Sequence, residues 1–179
     1  MRTPMTLSKT VALVGMMGAG KTSLGRKLAA KLEVAFRDAD QEIETAAGLS
    51  VSEIFEKFGE PYFRDGERRV IARLLGEEPH VLATGGGAFM DAATRAAMKK
   101  HALTVWLKTP IHVLLARVKK KDTRPLLKGR DPKQTIEALL AVREPIYAEA
   151  DITLECPDES HHSALERMLA ELRERGLET

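Results

Sequence analysis

Apolar and polar residues alternate along this chain in blocks. Short apolar runs recur at 11–14, 34–37, 80–83, 103–107 and 152–154, and each reads as a strand. Between them, apolar residues return every three or four positions over 21–31, 40–47, 51–58, 62–75, 92–99, 111–118, 132–147 and 161–175, which predicts helices. Strands that are apolar throughout are buried on both faces. The pattern therefore predicts a parallel sheet with helices on both sides, an α/β domain. Some boundaries are legible as well. Thr109-Pro110 and Asp131-Pro132 each offer an N-cap followed by proline at the first helical position, and Gly176 offers a C-terminal stop. No internal repeat, low-complexity tract or linker divides the chain. One domain over 1–179 is expected, with its core at about 10–176.

Composition narrows the class. A chain of 179 residues can bury an adequate core without disulfides or metals. The formal charge of +2 gives no argument for nucleic acid, and no apolar run approaches the length of a membrane span. A single cysteine, Cys156, excludes a disulfide framework and suits the cytoplasm. Residues 1–9 lack the hydrophobic stretch of a secretory signal and read as a short leader.

The chemistry begins behind the first strand. Gly15-Met-Met-Gly18-Ala19-Gly20-Lys21-Thr22 satisfies the phosphate-loop pattern G-x-x-x-x-G-K-[ST], in the required setting of strand, glycine loop and helix. Backbone N–H groups must wrap the phosphate oxygens, so the loop turns tightly on glycine. Lys21 brings a point charge to the β- and γ-phosphates, Thr22 offers a hydroxyl to Mg²⁺, and the helix beginning there, with Ser23 in its first turn, aims its dipole at the same anion. A nucleoside triphosphate is the expected ligand.

Two large classes of phosphate-loop protein drop out. Guanine readers need an Asn-Lys-x-Asp element, and the chain has no asparagine. Motor-type ATPases end an apolar strand in an acid, whereas the third strand here runs into Thr84-Gly85-Gly86-Gly87. The metal's outer shell must come from elsewhere, and Asp38 and Asp40 at the end of the second strand are the available acids. In extended backbone, residues two apart point to one side, so both carboxylates are expected to face the ligand. One would orient magnesium-bound water; the other would accept substrate hydroxyls or act as general base. The three glycines would let substrate approach the backbone closely. Arg64 and Arg143 are candidates for gripping a substrate carboxylate, although Arg64 can also pair with Glu67 one turn on. Between Arg117 and Arg130 the chain is densely basic, which reads as a lid over 117–131 that closes on phosphates and brings in an arginine. A small kinase with a hydroxylated, carboxylated acceptor follows.

Taken together, these motifs resemble the shikimate kinase family. The phosphate loop, Asp38-x-Asp40, Ile54-Phe55, Gly59-Glu60 with Phe63-Arg64-x-x-Glu67, Gly85-Gly86-Gly87, Arg124-Pro-Leu-Leu127 and Arg143-x-x-x-Tyr147 occur in that family's order and spacing, across 11–157. Met16 and Met17 are bulkier than the proline often found in that loop. The resemblance implies a three-layer phosphate-loop kinase fold like that of nucleoside monophosphate kinases, with a five-stranded parallel sheet in the order 2-3-1-4-5. It implies MgATP-dependent phosphorylation of the shikimate 3-hydroxyl, on the route to chorismate and the aromatic amino acids. From composition and charge, a cytoplasmic protein with no nucleic-acid or membrane partner is expected, and nothing demands more than a monomer. By position, Lys21, Asp40 and Arg124 would be catalytic. Asp38 would stand behind the metal. Phe55, Phe63, Arg64, Gly85, Gly86, Gly87 and Arg143 would bind shikimate from a region at about 38–67 and beyond, with Glu67 steadying the arginines. Arg117 and Pro157 would sandwich the adenine.

Two alternatives share the scaffold: a gluconate or other polyol-acid kinase, and a non-catalytic nucleotide-binding module. The remaining reactive side chains fall outside the site on this reading. None of the five histidines has metal-ligand spacing, and His161-His162 are taken as ordinary surface positions. Cys156 has no companion that would mark it as a nucleophile, and Trp106 belongs to the core.

Overall fold

A computed structural model describes residues 6–119, 129–157 and 161–177. Five strands form one parallel sheet in the order β2-β3-β1-β4-β5: β1 (Thr10–Val14), β2 (Phe36–Asp38), β3 (Val81–Ala83), β4 (Ala102–Lys108) and β5 (Ile152–Glu155). The helices are α1 (Lys21–Leu32), α2 (Ala39–Ala47), α3 (Val51–Phe58), α4 (Glu60–Leu75), α5 (Ala92–His101), α6 (Ile111–Lys119), α7 (Pro132–Tyr147) and α8 (His161–Glu174), with a 3₁₀ turn at Ala88–Met90. The expected strand order is the observed one.

Central β1 is buried at every position, as a strand covered on both faces must be. Its register places Val11 beside Val81 and Leu103, and Leu13 beside Ala83 and Val105. The main core is built on that row. A second, smaller cluster joins Ile43, Ile54 and Phe63, with Phe55 and Val70 packed on it, and fixes α2, α3 and α4 to one another. No helix among the described residues is long and apolar enough to cross a membrane.

Several boundaries shift for local reasons. The second strand begins at Phe36, because Glu33 takes left-handed backbone (φ 55°) at the end of α1 and the Val34 N–H bonds back to Ala29. Helix α4 starts at Glu60, so that Pro61 sits in its first turn, where a missing N–H costs nothing. Pro110 lies one residue outside α6, and its carbonyl accepts from Val113 and Leu114. Asp131 occupies the N-cap of α7 but makes no side-chain cap bond, whereas Gly176 ends α8 as expected, with φ 66°.

Candidate active site

The site is assembled at the carboxyl ends of β1, β2 and β3, where parallel sheets place ligands. The phosphate loop leaves β1 at Val14 and enters α1 at Lys21. Gly20 is the N-cap of α1, at φ 94°, with no side-chain cap bond, and the first turn of α1 carries no acid. Its leading N–H groups are therefore left to an anion, with no internal carboxylate competing. Lys21 is buried, and its Nζ donates to the carbonyls of Gly15 and Met16 at 2.5 and 2.9 Å, which bends the ammonium over its own loop.

Asp38 and Asp40 do not lie in extended backbone as the sequence suggested. The strand ends at Asp38, which becomes the N-cap of α2, and Asp40 falls in the first helical turn. Asp38 divides its oxygens between two tasks. Oδ1 accepts from the N–H groups of Asp40 and Gln41 (3.0 and 3.3 Å), and Oδ2 accepts from the Thr22 hydroxyl at 2.9 Å. Capping and a connection to the phosphate loop are thus both present, and the helix start is what turns Asp40 toward the glycine run.

Two compartments meet at that run. A cleft of about 340 Å³ is lined by Gly18 to Ser23, Asp38, Asp40, Thr84, Gly85, Gly86, Arg117 and His161. A smaller one of about 80 Å³ is lined by Met17, Asp40, Val51, Phe55, Phe63, Arg64, Glu67, Gly85 to Gly87 and Arg143. Asp40, Gly85 and Gly86 belong to both. A carboxylate there faces whatever sits on either side.

The charges of the smaller compartment are arranged unequally. Arg64 donates through Nη1 to Glu67 Oε1 at 2.9 Å and contacts Glu60 at 3.4 Å, so its charge is largely compensated. A Cβ on Gly87 would lie 2.5 Å from Arg64 Nη2, so only glycine leaves room for the guanidinium. Glu67 is buried. Desolvation pushes its carboxyl above the ordinary range, Arg64 opposes that, and nearby Asp40 adds to it. Arg143 is only 5% exposed, and among the described residues no carboxylate lies within 4 Å of it. Its Nη1 points at the Met16 sulfur, 3.8 Å away. Tyr147, one turn on, is fully buried and donates to the Gly86 carbonyl; burial pushes its phenol up to about 12, so it stays protonated.

The structure thus gathers Gly15, Gly18, Ala19, Gly20, Lys21, Thr22, Ser23, Asp38, Asp40, Phe55, Phe63, Arg64, Gly85 to Gly87 and Arg143 around one cleft or its wall. The Phe55 and Phe63 rings pack at a tilt, with centroids 4.9 Å apart and planes at 43°. Arg117 lines the nucleotide side, but its Nη1 donates to the Gly18 carbonyl at 3.0 Å instead of standing free. Pro157 borders a small adjoining cavity with Arg117 and His161. Arg124 and positions 120–128 of the expected lid lie outside the described residues. One expectation is corrected: His161 is not an ordinary surface residue. It opens α8 with its ring against the phosphate loop, where a Cβ on Gly20 would meet Nε2 at 2.8 Å. Burial, Lys27 and Arg117 hold its pKa below the usual histidine value. Nothing in the local pattern marks it, because the contact joins residues 141 positions apart (161 minus 20).

The family profile described as Shikimate kinase matches residues 17–173. A shikimate kinase of Caulobacter vibrioides is 56% identical over 167 residues, covering 93% of this chain and 84% of that protein. The solved shikimate kinase of Acinetobacter baumannii, in complex with shikimate, superposes with a TM-score of 0.91 at 39% identity, covering 94% of this chain and 95% of the other. That of Aquifex aeolicus superposes with a TM-score of 0.82 at 34% identity, over 94% and 98%.

Proposed function

The chain belongs to the shikimate kinase family, and from that premise we propose that it transfers the γ-phosphoryl group of ATP to the 3-hydroxyl of shikimate. The observation that carries the acceptor's chemistry is Arg143. A guanidinium so deeply buried, with no carboxylate against it among the described residues, needs an anion from outside. It lies in the compartment that shares Asp40 with the phosphate-loop cleft, so a bound carboxylate places its ring hydroxyls between acid and triphosphate.

Each part then has a role. Gly18, Gly20 and the start of α1 cradle the phosphates, and Lys21 leaves its loop carbonyls to meet the β- and γ-oxygens. Arg64 shares the acceptor's carboxylate with Arg143, held by Glu67. Phe55 and Phe63 cover the ring's apolar face. Asp40 orients the attacking hydroxyl and receives its proton as the O–P bond forms. Phosphoryl transfer passes through a loose anionic transition state, so alignment and cationic charge do most of the work. A weak base is enough when the proton leaves late. Arg124 is assigned to the γ-phosphate on lid closure, and Arg117 with Pro157 to the adenine.

The oxygens present fit a magnesium ion delivered with the nucleotide. Among the described residues no group of three His, Cys, Asp or Glu makes a protein cage, whereas the Thr22 hydroxyl is already oriented by Asp38. Thr22 would hold the ion, with Asp38 behind it, and the charge supplied there would offset that building on the phosphates. The enzyme is assigned as a cytoplasmic monomer acting on small molecules alone; the lone Cys156 fits a reducing compartment.

Coupled ADP-release assays with shikimate, gluconate and no acceptor test the function. Turnover with shikimate alone is expected, with a severe loss in Arg143→Ala. Turnover with gluconate but not shikimate would overturn it.

A further inference from the structure

The Arg143 guanidinium needs something to hold it in register without consuming its charge. The structure shows what does. Met16, inside the phosphate loop and only 2% exposed, directs its sulfur at two groups of α7: Arg143 Nη1 at 3.8 Å and the Tyr147 hydroxyl at 3.9 Å. Its backbone serves the other substrate, since the Met16 carbonyl accepts from Lys21 Nζ at 2.9 Å. Gly86 closes the ring of contacts. Its carbonyl accepts from Tyr147, and a Cβ there would stand 3.1 Å from Arg143 Nη1 and 3.3 Å from the Met17 nitrogen.

We propose that Met16 is a positioning residue for the acceptor's carboxylate, its thioether orienting the Arg143 guanidinium from behind while leaving its positive charge to the substrate. The choice of sulfur has a physical reason. A carboxylate behind Arg143 would orient it better but would neutralise it and compete with the acceptor. A thioether is a weak, uncharged acceptor with a polarisable surface, so it fills the space and fixes the direction without cancelling the cation. Contrast Arg64, which is held by Glu67 and Glu60 and has correspondingly less charge to offer. The two arginines divide the work: Arg64 is paired directly with acids, whereas Arg143 meets Glu67 only through space and is braced by a neutral strut.

This inference rests on the shikimate kinase reading, and the test separates the two. Met16→Leu keeps the volume and apolar character but removes the acceptor. Shikimate affinity is measured by calorimetry, and KM for both substrates and kcat by ADP release, in wild type, Met16→Leu, Arg143→Ala and the double variant. The sulfur contact is a single weak bond, so Met16→Leu should weaken shikimate binding and raise its KM roughly threefold to tenfold. The ATP KM and melting temperature should stay close to wild type. In the Arg143→Ala background the same substitution should add nothing further, because its effect passes through the guanidinium. Unchanged shikimate affinity in Met16→Leu would overturn the proposal. So would an equal rise in both KM values with a lowered melting temperature, the mark of loop packing alone. Failure of the wild type itself to phosphorylate shikimate would instead strike the underlying reading.

Discussion

The Asp38 carboxylate joins the end of β2 to the phosphate loop, accepting the Thr22 hydroxyl at 2.9 Å through one oxygen while capping α2 with the other. The two halves of this arrangement should separate by mutation. Asp38→Asn keeps an oxygen acceptor for the cap, so its melting temperature should remain near wild type while the magnesium requirement rises. Asp38→Ala removes both contacts and should also lower stability by about 1 kcal/mol, the usual value of an N-cap. Denaturant unfolding, with magnesium titrations of turnover, checks both. Equal stability of the two variants would show that the cap contributes nothing.

Gly87 isolates the position of Arg64 from the fold. Its φ of −97° suits any residue, so alanine brings no backbone strain. The added Cβ would nevertheless lie 2.5 to 2.7 Å from three guanidinium atoms. The far end of a flexible side chain can move aside, so Gly87→Ala should fold with little loss of stability. Displacing Arg64 should raise the shikimate KM about tenfold or more, as for a charged hydrogen bond lost, with the ATP KM unaffected. Steady-state kinetics beside thermal melting decide it.

How far these features were legible in the sequence follows from the range of the interactions behind them. The sheet, the phosphate loop and most helix bounds come from patterns within a few residues, and α3 (Val51–Phe58) and α7 (Pro132–Tyr147) emerge at the bounds expected. Asp38 and Asp40 are legible as a pair but not in their geometry, because the strand-to-helix switch falls between them. His161 against Gly20 and Met16 against Arg143 depend on which loops the sheet order brings together, and no local signal encodes that. The 3₁₀ turn at Ala88–Met90 escapes the sequence pattern for a nearer reason. The glycine run reads as room for a substrate, but it also shapes the backbone: the Gly85 carbonyl accepts from Ala88, closing a turn that leads into the 3₁₀ turn, where the Gly87 carbonyl accepts from Met90.

Glu67 makes stability depend on pH in an unusual direction. Its folded-state carboxyl is raised, chiefly by desolvation, above its unfolded value near 4.5. The native state therefore binds that proton more tightly than the unfolded chain does. Stability from this group is highest below the unfolded pKa, falls as pH climbs through the folded value, and is level above it. Glu67→Gln removes the titration while its amide oxygen still accepts from Arg64. Relative to wild type, the variant should be more favourable at pH 7 to 8 than at pH 4, in melts across that range. A difference between the two proteins that stays constant with pH would contradict the burial argument.

Asp40 is the strictest test of the reaction, because among the described residues it alone of the acids borders both compartments, with its backbone fixed in α2. Asparagine matches its shape and retains one oxygen, so shikimate should still bind and the fold should be unchanged. What the amide cannot do is take the proton from the attacking hydroxyl or favour the hydroxyl's partial negative charge leaving toward phosphorus. Loss of a positioned base costs on the order of 10²- to 10⁴-fold in rate. Asp40→Asn should therefore show kcat lowered by that range, with binding of ATP and shikimate within a few-fold of wild type by calorimetry. Near-normal turnover would remove Asp40 from the chemistry and leave catalysis to alignment and to the cations around the γ-phosphate.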